Sequence, residues 1–158
     1  SAIVARNTQD PYPQDARDTP ATRRRTVYMF HKRVVQNPLL AAFDAPDAAV
    51  SCGRRSCTTV APQALALLND EFVRSRSLDF ADRLLQQAPD DNAALVSSAF
   101  ELALGRAPAE SERSASLAFV QFQTERRQQR ETGSEVRRQA VADFCQTLFS
   151  LNEFLYVD

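Results

Sequence analysis

Residues 70–105 read DEFVRSRSLDFADRLLQQAPDDNAALVSSAFELALG, and they decide the fold class. Val73, Phe80, Ala81, Leu84 and Leu85 recur at i, i+7, i+8, i+11 and i+12, the spacing of one helix face. Asp70 stands where an N-cap belongs, and Pro89-Asp90-Asp91 breaks the helix after about Gln87. The next helix opens on an Asp cap and runs from Ala93 to Leu104, with Val96, Phe100, Ala103 and Leu104 on one stripe. Gly105 ends it, because glycine enters the left-handed conformation of a helix stop without steric cost. Capping thus accounts for the carboxylate pairs Asp70/Glu71 and Asp90/Asp91 without glycosidase chemistry.

The same grammar extends in both directions. Downstream, Pro108-Ala109-Glu110-Ser111-Glu112 starts a helix with proline and acids at the positive end of its dipole. Its expected apolar stripe is Ala115, Phe119 and Phe122, and the run Glu125 to Glu131 is its expected exposed end. After Gly133-Ser134, Val136, Ala140, Val141, Phe144, Leu148 and Leu151 keep helical spacing, and the apolar tail NEFLYVD is expected to dock. Upstream, Thr58 or Thr59 is a candidate cap for a helix through Ala64, Leu65, Leu67 and Leu68, with Pro62 in its first turn. Pro38 to Phe43 forms one or two helical turns, closed by a turn at Asp44-Ala45-Pro46-Asp47. The expected fold is an all-α bundle of about five helices, mostly antiparallel. Residues 1–22, with three prolines and few large apolar side chains, read as a linker or extended arm, and 23–158 as a single helical domain.

Composition agrees with that class and excludes others. The chain has 158 residues, 44% apolar and 25% charged, with only 3 glycines, which is one soluble domain of low turn content. No run reaches the ~18 apolar residues of a membrane span. The net charge of −1 gives no electrostatic reason to expect nucleic acid, so Arg23-Arg24-Arg25 with Tyr28 and Phe30 reads as a solvated basic face. Residues 1–60 hold nine Lys/Arg against five Asp/Glu, and residues 61–110 hold four against eight, an asymmetry that fits internal complementarity. The opening SAIVARNTQDPYP has no apolar h-region, so no signal peptide is expected in it, and from its start at Ser1 the chain is expected to be a piece of a longer protein.

One stretch concentrates polar chemistry. Asp44, Arg54, Arg55, Thr58 and Gln63, with Asp47 and Thr59, surround a helix start, where backbone N–H groups and guanidinium forks attract carboxylate, sulfate or phosphate. Two readings stand: a ligand site for an anionic glycan, or an internal Asp44–arginine salt bridge that anchors the loop to the bundle. Within the stretch, Cys52 and Cys57 form CxxxxC, open either as a disulfide or as two free thiols. Covalent haem is excluded here, since no histidine follows the second cysteine. Four dispersed residues, three Cys and His31, make no structural zinc site, and Cys145 reads as a small core residue. His31 is the only histidine, so any histidine-dependent nucleophilic mechanism must use it, yet it lies between Phe30 and Lys32 without a neighbouring carboxylate.

Taken together, RRRTVYMFHKR (23–33), FDAP (43–46), CGRR with TT and PQALALLND (52–70), LALGRAP (102–108) and NEFLYVD (152–158) resemble a known family. It is the C-terminal domain of unknown function of large planctomycete proteins that also carry planctomycete-type cytochrome c-like domains. The resemblance implies an extracytoplasmic parent that accompanies carbohydrate- and sulfate-ester-degrading systems, with haem in other domains and no cofactor in this one. The family usually has an aromatic residue where His31 stands and an Asn-Thr-Pro-like turn where Val60-Ala61-Pro62 stands, which argues against His31 as a shared functional residue. The expected function is a non-catalytic interaction or scaffold module whose partners are the other domains of its parent. The alternative is an accessory module for sulfated or carboxylated glycans, or part of a composite enzyme site.

Overall fold

A computed structural model of the chain describes residues 25–28, 37–46, 53, 61–130 and 133–155. It divides into two units, residues 1–59 and 60–158. Among the described residues all regular structure is helical, as the sequence periodicity predicts.

In the first unit, a single 3-10 turn spans Thr26–Tyr28, with Val27 and Tyr28 exposed. Helix α1 runs Pro38–Ala42. Asn37 caps it, its Oδ1 accepting from the backbone N–H of Leu39 at 3.0 Å and Leu40 at 3.2 Å. The stop is a Schellman turn: the Ala45 N–H donates to Leu40 O at 2.9 Å and the Asp44 N–H to Ala41 O at 3.1 Å. That geometry puts Asp44 in the left-handed region at φ 55°, which aspartate tolerates better than most residues.

The second unit is the bundle: α2 (Ala61–Asn69), α3 (Glu71–Gln87), α4 (Asn92–Leu104), α5 (Glu110–Gln128), α6 (Ser134–Phe149) and α7 (Asn152–Leu155). Its helix boundaries follow from the caps. Asp70 Oδ1 accepts from the N–H groups of Phe72 and Val73, and Asp91 Oδ1 from those of Ala93 and Ala94. Gly105, at φ 72°, ends α4. At the start of α5, Ala109 has no side-chain oxygen to cap with, and the Glu112 carboxylate accepts from its N–H instead, at 2.7 Å.

Helix α6 is the centre, packed most extensively against α3 and then α5. Val136, Ala140, Val141, Phe144, Cys145 and Leu148 are buried along it. Val141, Phe144, Cys145 and Leu148 share one core with Ala81 and Leu84 of α3, Leu95, Val96, Ala99 and Phe100 of α4, and Val120 of α5. Ser77 is fully buried on α3 and satisfies its hydroxyl by donating to Val73 O at 2.9 Å.

One expected stripe is turned, and another stops one turn early. On α5, Ala115 is exposed and Phe122 is 59% exposed, while Val120 is the residue fully enclosed. Leu117 and Phe119 flank the core. Leu151 is also exposed, because α6 ends at Phe149 and the turn that follows carries position 151 off the buried face.

Candidate functional site

Of the residues singled out in the sequence, Asp44 and Gln63 are described, and Arg54, Arg55, Thr58, Thr59, Cys52, Cys57 and His31 lie outside the described residues. Asp44 belongs to the first unit, as the left-handed residue that stops α1. Gln63 belongs to the second, buried at 6% exposure in α2. Cys145 is in the core as expected, and burial pushes its thiol up to about 12.

The polar organisation that the structure adds lies along α6. Asp143 is shared by two arginines: Arg74 of α3 donates to its Oδ1 at 2.7 Å, and Arg127 of α5 to its Oδ2 at 2.6 Å. The Gln139 carbonyl accepts from the same Arg74. One turn earlier, Arg138 forks onto Asp82 of α3, at 2.6 and 3.0 Å, and also donates to Glu135 at 3.0 Å. The Arg138 hydrogen bond holds the Asp82 carboxyl below the usual range. Glu135 is lowered first by its hydrogen bond from Gln139 and then by Arg138. At the other end of the face, the Gln146 amide donates to both Leu67 O and Leu68 O at 3.0 Å, capping the C-terminus of α2 from across the bundle.

A second hub is Arg106, in the loop after α4. Its guanidinium donates to Glu112 at 2.7 and 2.8 Å and to Glu153 of α7 at 2.6 and 2.7 Å, and sits 5.6 Å over the Phe100 ring. Arg106, with the Ala109 N–H behind it, depresses Glu112 to about 2, and Arg106 also lowers Glu153. The hub thereby fastens the terminal helix to the α4–α5 corner. Sequence reading saw LALGRAP as a block but had no signal for a partner 47 residues away.

Among the described residues every shifted carboxylate is therefore moved down, toward permanent charge. A general acid or base near neutrality needs the opposite shift. Among the described residues no group of three His, Cys, Asp or Glu side chains stands together as a metal set. What the surface offers is apolar contact. Leu65, Leu68 and Phe72, spaced three and four residues apart across the α2–α3 corner, are 57, 53 and 55% exposed. Two cavities open elsewhere on the bundle. One, of about 360 Å³, is walled by Phe80, Phe149 and Phe154, and another, of about 500 Å³, mixes polar and apolar surface and includes Asn92, Leu117, Thr124 and Arg137.

A family model described as PSD1, protein of unknown function (DUF1553), matches residues 3–120 of the 158. No curated protein and no solved structure matches the chain. No helix among the described residues is long and apolar enough to cross a membrane.

Proposed function

We propose that this chain, which belongs to the PSD1 family of proteins of unknown function (DUF1553), is a non-catalytic interaction module of a larger extracytoplasmic protein of the planctomycete cytochrome c type. Its partners are the other domains of that protein, and haem belongs to those domains rather than to this one. The observation that carries the reading is the α2–α3 corner. Leu65, Leu68 and Phe72 form a run of large apolar side chains, each more than half exposed. Burying a side chain of this size is worth roughly 1.5–3 kcal/mol, so grouped exposure of this kind marks a contact surface. The arginine-held carboxylates agree, because their pairing braces the fold. Co-purification of the chain with the remainder of its parent is the test. Association is expected, and Leu65→Ser with Phe72→Ser should abolish it without loss of helicity. Absence of association, or association indifferent to both changes, overturns the reading.

A second reading is an accessory module for sulfated or carboxylated glycans, to which the first unit contributes Asp44, Arg54, Arg55 and Thr58. It rests on the paired arginines Arg54-Arg55 ahead of α2, whose guanidinium forks suit sulfate and carboxylate. Binding of sulfated glycan weakened by Arg55→Ala at unchanged helicity is the required result, and unchanged binding refutes it.

A further inference from the structure

The cavity of about 360 Å³ lies where α3, α4 and the α6–α7 end of the bundle meet, and Arg76 on its wall sits 5.5 Å over the ring of Phe72. Three rings form a chain along its wall. Phe80 and Phe149 stack with centroids 5.7 Å apart, and Phe149 and Phe154 lie 4.9 Å apart. Leu102, 44% exposed, adds to the apolar lining, and Phe154 is itself 40% exposed. The volume falls within the ~300–1,000 Å³ of small-molecule sites. Two arginines also line it, Arg76 and Arg83, seven residues apart and so on one side of α3. Arg76 is paired with Asp79 at 3.0 Å. Arg83 is exposed and has no ion pair among the described residues.

Charge complementarity decides the occupant. Stacked rings favour a flat apolar body, and the lining carries one cation more than it neutralises. We propose that this cavity binds a small planar monoanion, an aromatic or conjugated carboxylate, with its ring against Phe149 and Phe154 and its carboxylate on the Arg83 guanidinium. A second negative charge would meet Asp79, and a neutral ring would forgo the charge-assisted fork. Because Phe154 belongs to α7, and Glu153 ties α7 to Arg106 at 2.6 and 2.7 Å, that latch positions part of the wall.

The full chain is titrated with 2-naphthoate, and with naphthalene-2-methanol as its uncharged counterpart, following backbone amide shifts by NMR. Saturable binding of the carboxylate is expected near ~1 mM, the strength open to a ligand of this size, with the alcohol about fivefold weaker. Arg83→Gln should weaken the carboxylate about fivefold and leave the alcohol unchanged. Phe154→Ala and Glu153→Gln should weaken both probes alike, since each acts on the ring wall. Arg126→Gln, on the exposed side of α5, should alter neither. Shifts spread over the whole surface, no saturation, or an Arg83→Gln variant that treats the two probes equally overturns the proposal.

Discussion

Gln146→Leu removes one side-chain amide and tests whether α2 is held from the far side of the bundle. A helix leaves its last four carbonyls without intrahelical partners. In α2 these belong to Ala66, Leu67, Leu68 and Asn69, and only Ala66 O is served locally, by the Asp70 N–H at 2.8 Å. Leu67 O and Leu68 O both depend on the Gln146 amide. Leucine nearly matches glutamine in volume, so the substitution deletes the donors without opening a large void. Leu67 is 7% exposed, so its carbonyl would be stranded away from water, at about 1–3 kcal/mol. Leu68 is 53% exposed and its carbonyl rehydrates, so it adds only a few tenths of a kcal/mol. The expected loss is about 2 kcal/mol, or roughly a 10 °C fall in melting temperature for a unit of this size.

Denaturant unfolding followed by helical circular dichroism gives the stability, and amide hydrogen exchange gives its location. The loss should be concentrated in faster exchange over α2. Gln146→Glu should be no better than leucine toward the carbonyls, because a carboxylate brings acceptors where donors are needed. A loss below about 0.5 kcal/mol, or exchange in α2 unchanged while the bundle weakens uniformly, refutes the clamp.

Three further outcomes follow from the same geometry. Asp143→Ala leaves Arg74 and Arg127 facing each other without their shared carboxylate, and should cost about 1–3 kcal/mol; adding Arg127→Met should recover part of it in a double-mutant cycle by thermal unfolding. Glu112 is depressed from 4.5 to about 2 in the folded chain, so its stabilisation is complete above pH 4.5 and lost as pH falls through about 2. Glu112→Gln should therefore flatten the fall in melting temperature over that window, whereas curves parallel to wild type would show that the Arg106 pairing contributes nothing. Cys145, with its thiol raised to about 12 by burial, should resist iodoacetamide at pH 8 in the folded chain and react fully in denaturant, as read by peptide mass mapping.

Helix existence was readable because each boundary carries local chemistry. Asp70 and Asp91 accept capping hydrogen bonds from the backbone N–H groups two and three residues on, and Gly105 supplies a left-handed stop, all within one turn of chain. The orientation of α5 was not readable from apolar spacing. Its inward side carries Thr124, whose hydroxyl donates to Val120 O, and Arg127, whose guanidinium is taken up by Asp143. Polar side chains whose tips are satisfied behave as core-facing residues, so counting only Ala115, Phe119 and Phe122 rotates the helix toward the wrong side. Arg127 also departs from the expected exposed run: Glu125, Arg126 and Gln128 are in solvent, and Arg127 is drawn inward. The candidate site is less legible still, because its chemistry is pairing between residues far apart in sequence. Arg106 meets Glu153, Arg138 meets Asp82 at a separation of 56, and Arg74 meets Asp143 at 69.

These long-range pairs bear on why the bundle leaves large apolar side chains outside. Ion pairs at this level of exposure are each worth about 0–1 kcal/mol, too little to assemble six helices. Burial does that, through the core around α6. What the pairs add is selection: each guanidinium fork is satisfied at only one rotation and one axial position of its helix. With α3, α5 and α7 pinned in this way, none of them is free to roll and hide an apolar side chain that points outward. Phe122 on α5 stays 59% exposed and Phe154 on α7 40% exposed. If burial alone set the packing, releasing the pins should let these rings turn in. Arg127→Met should then lower the accessibility of Phe122, measured by fluorescence quenching of a tryptophan placed there. Accessibility equal to that of the same chain with Arg127 intact would mean that backbone packing, and not the Arg127–Asp143 pair, keeps this ring in solvent.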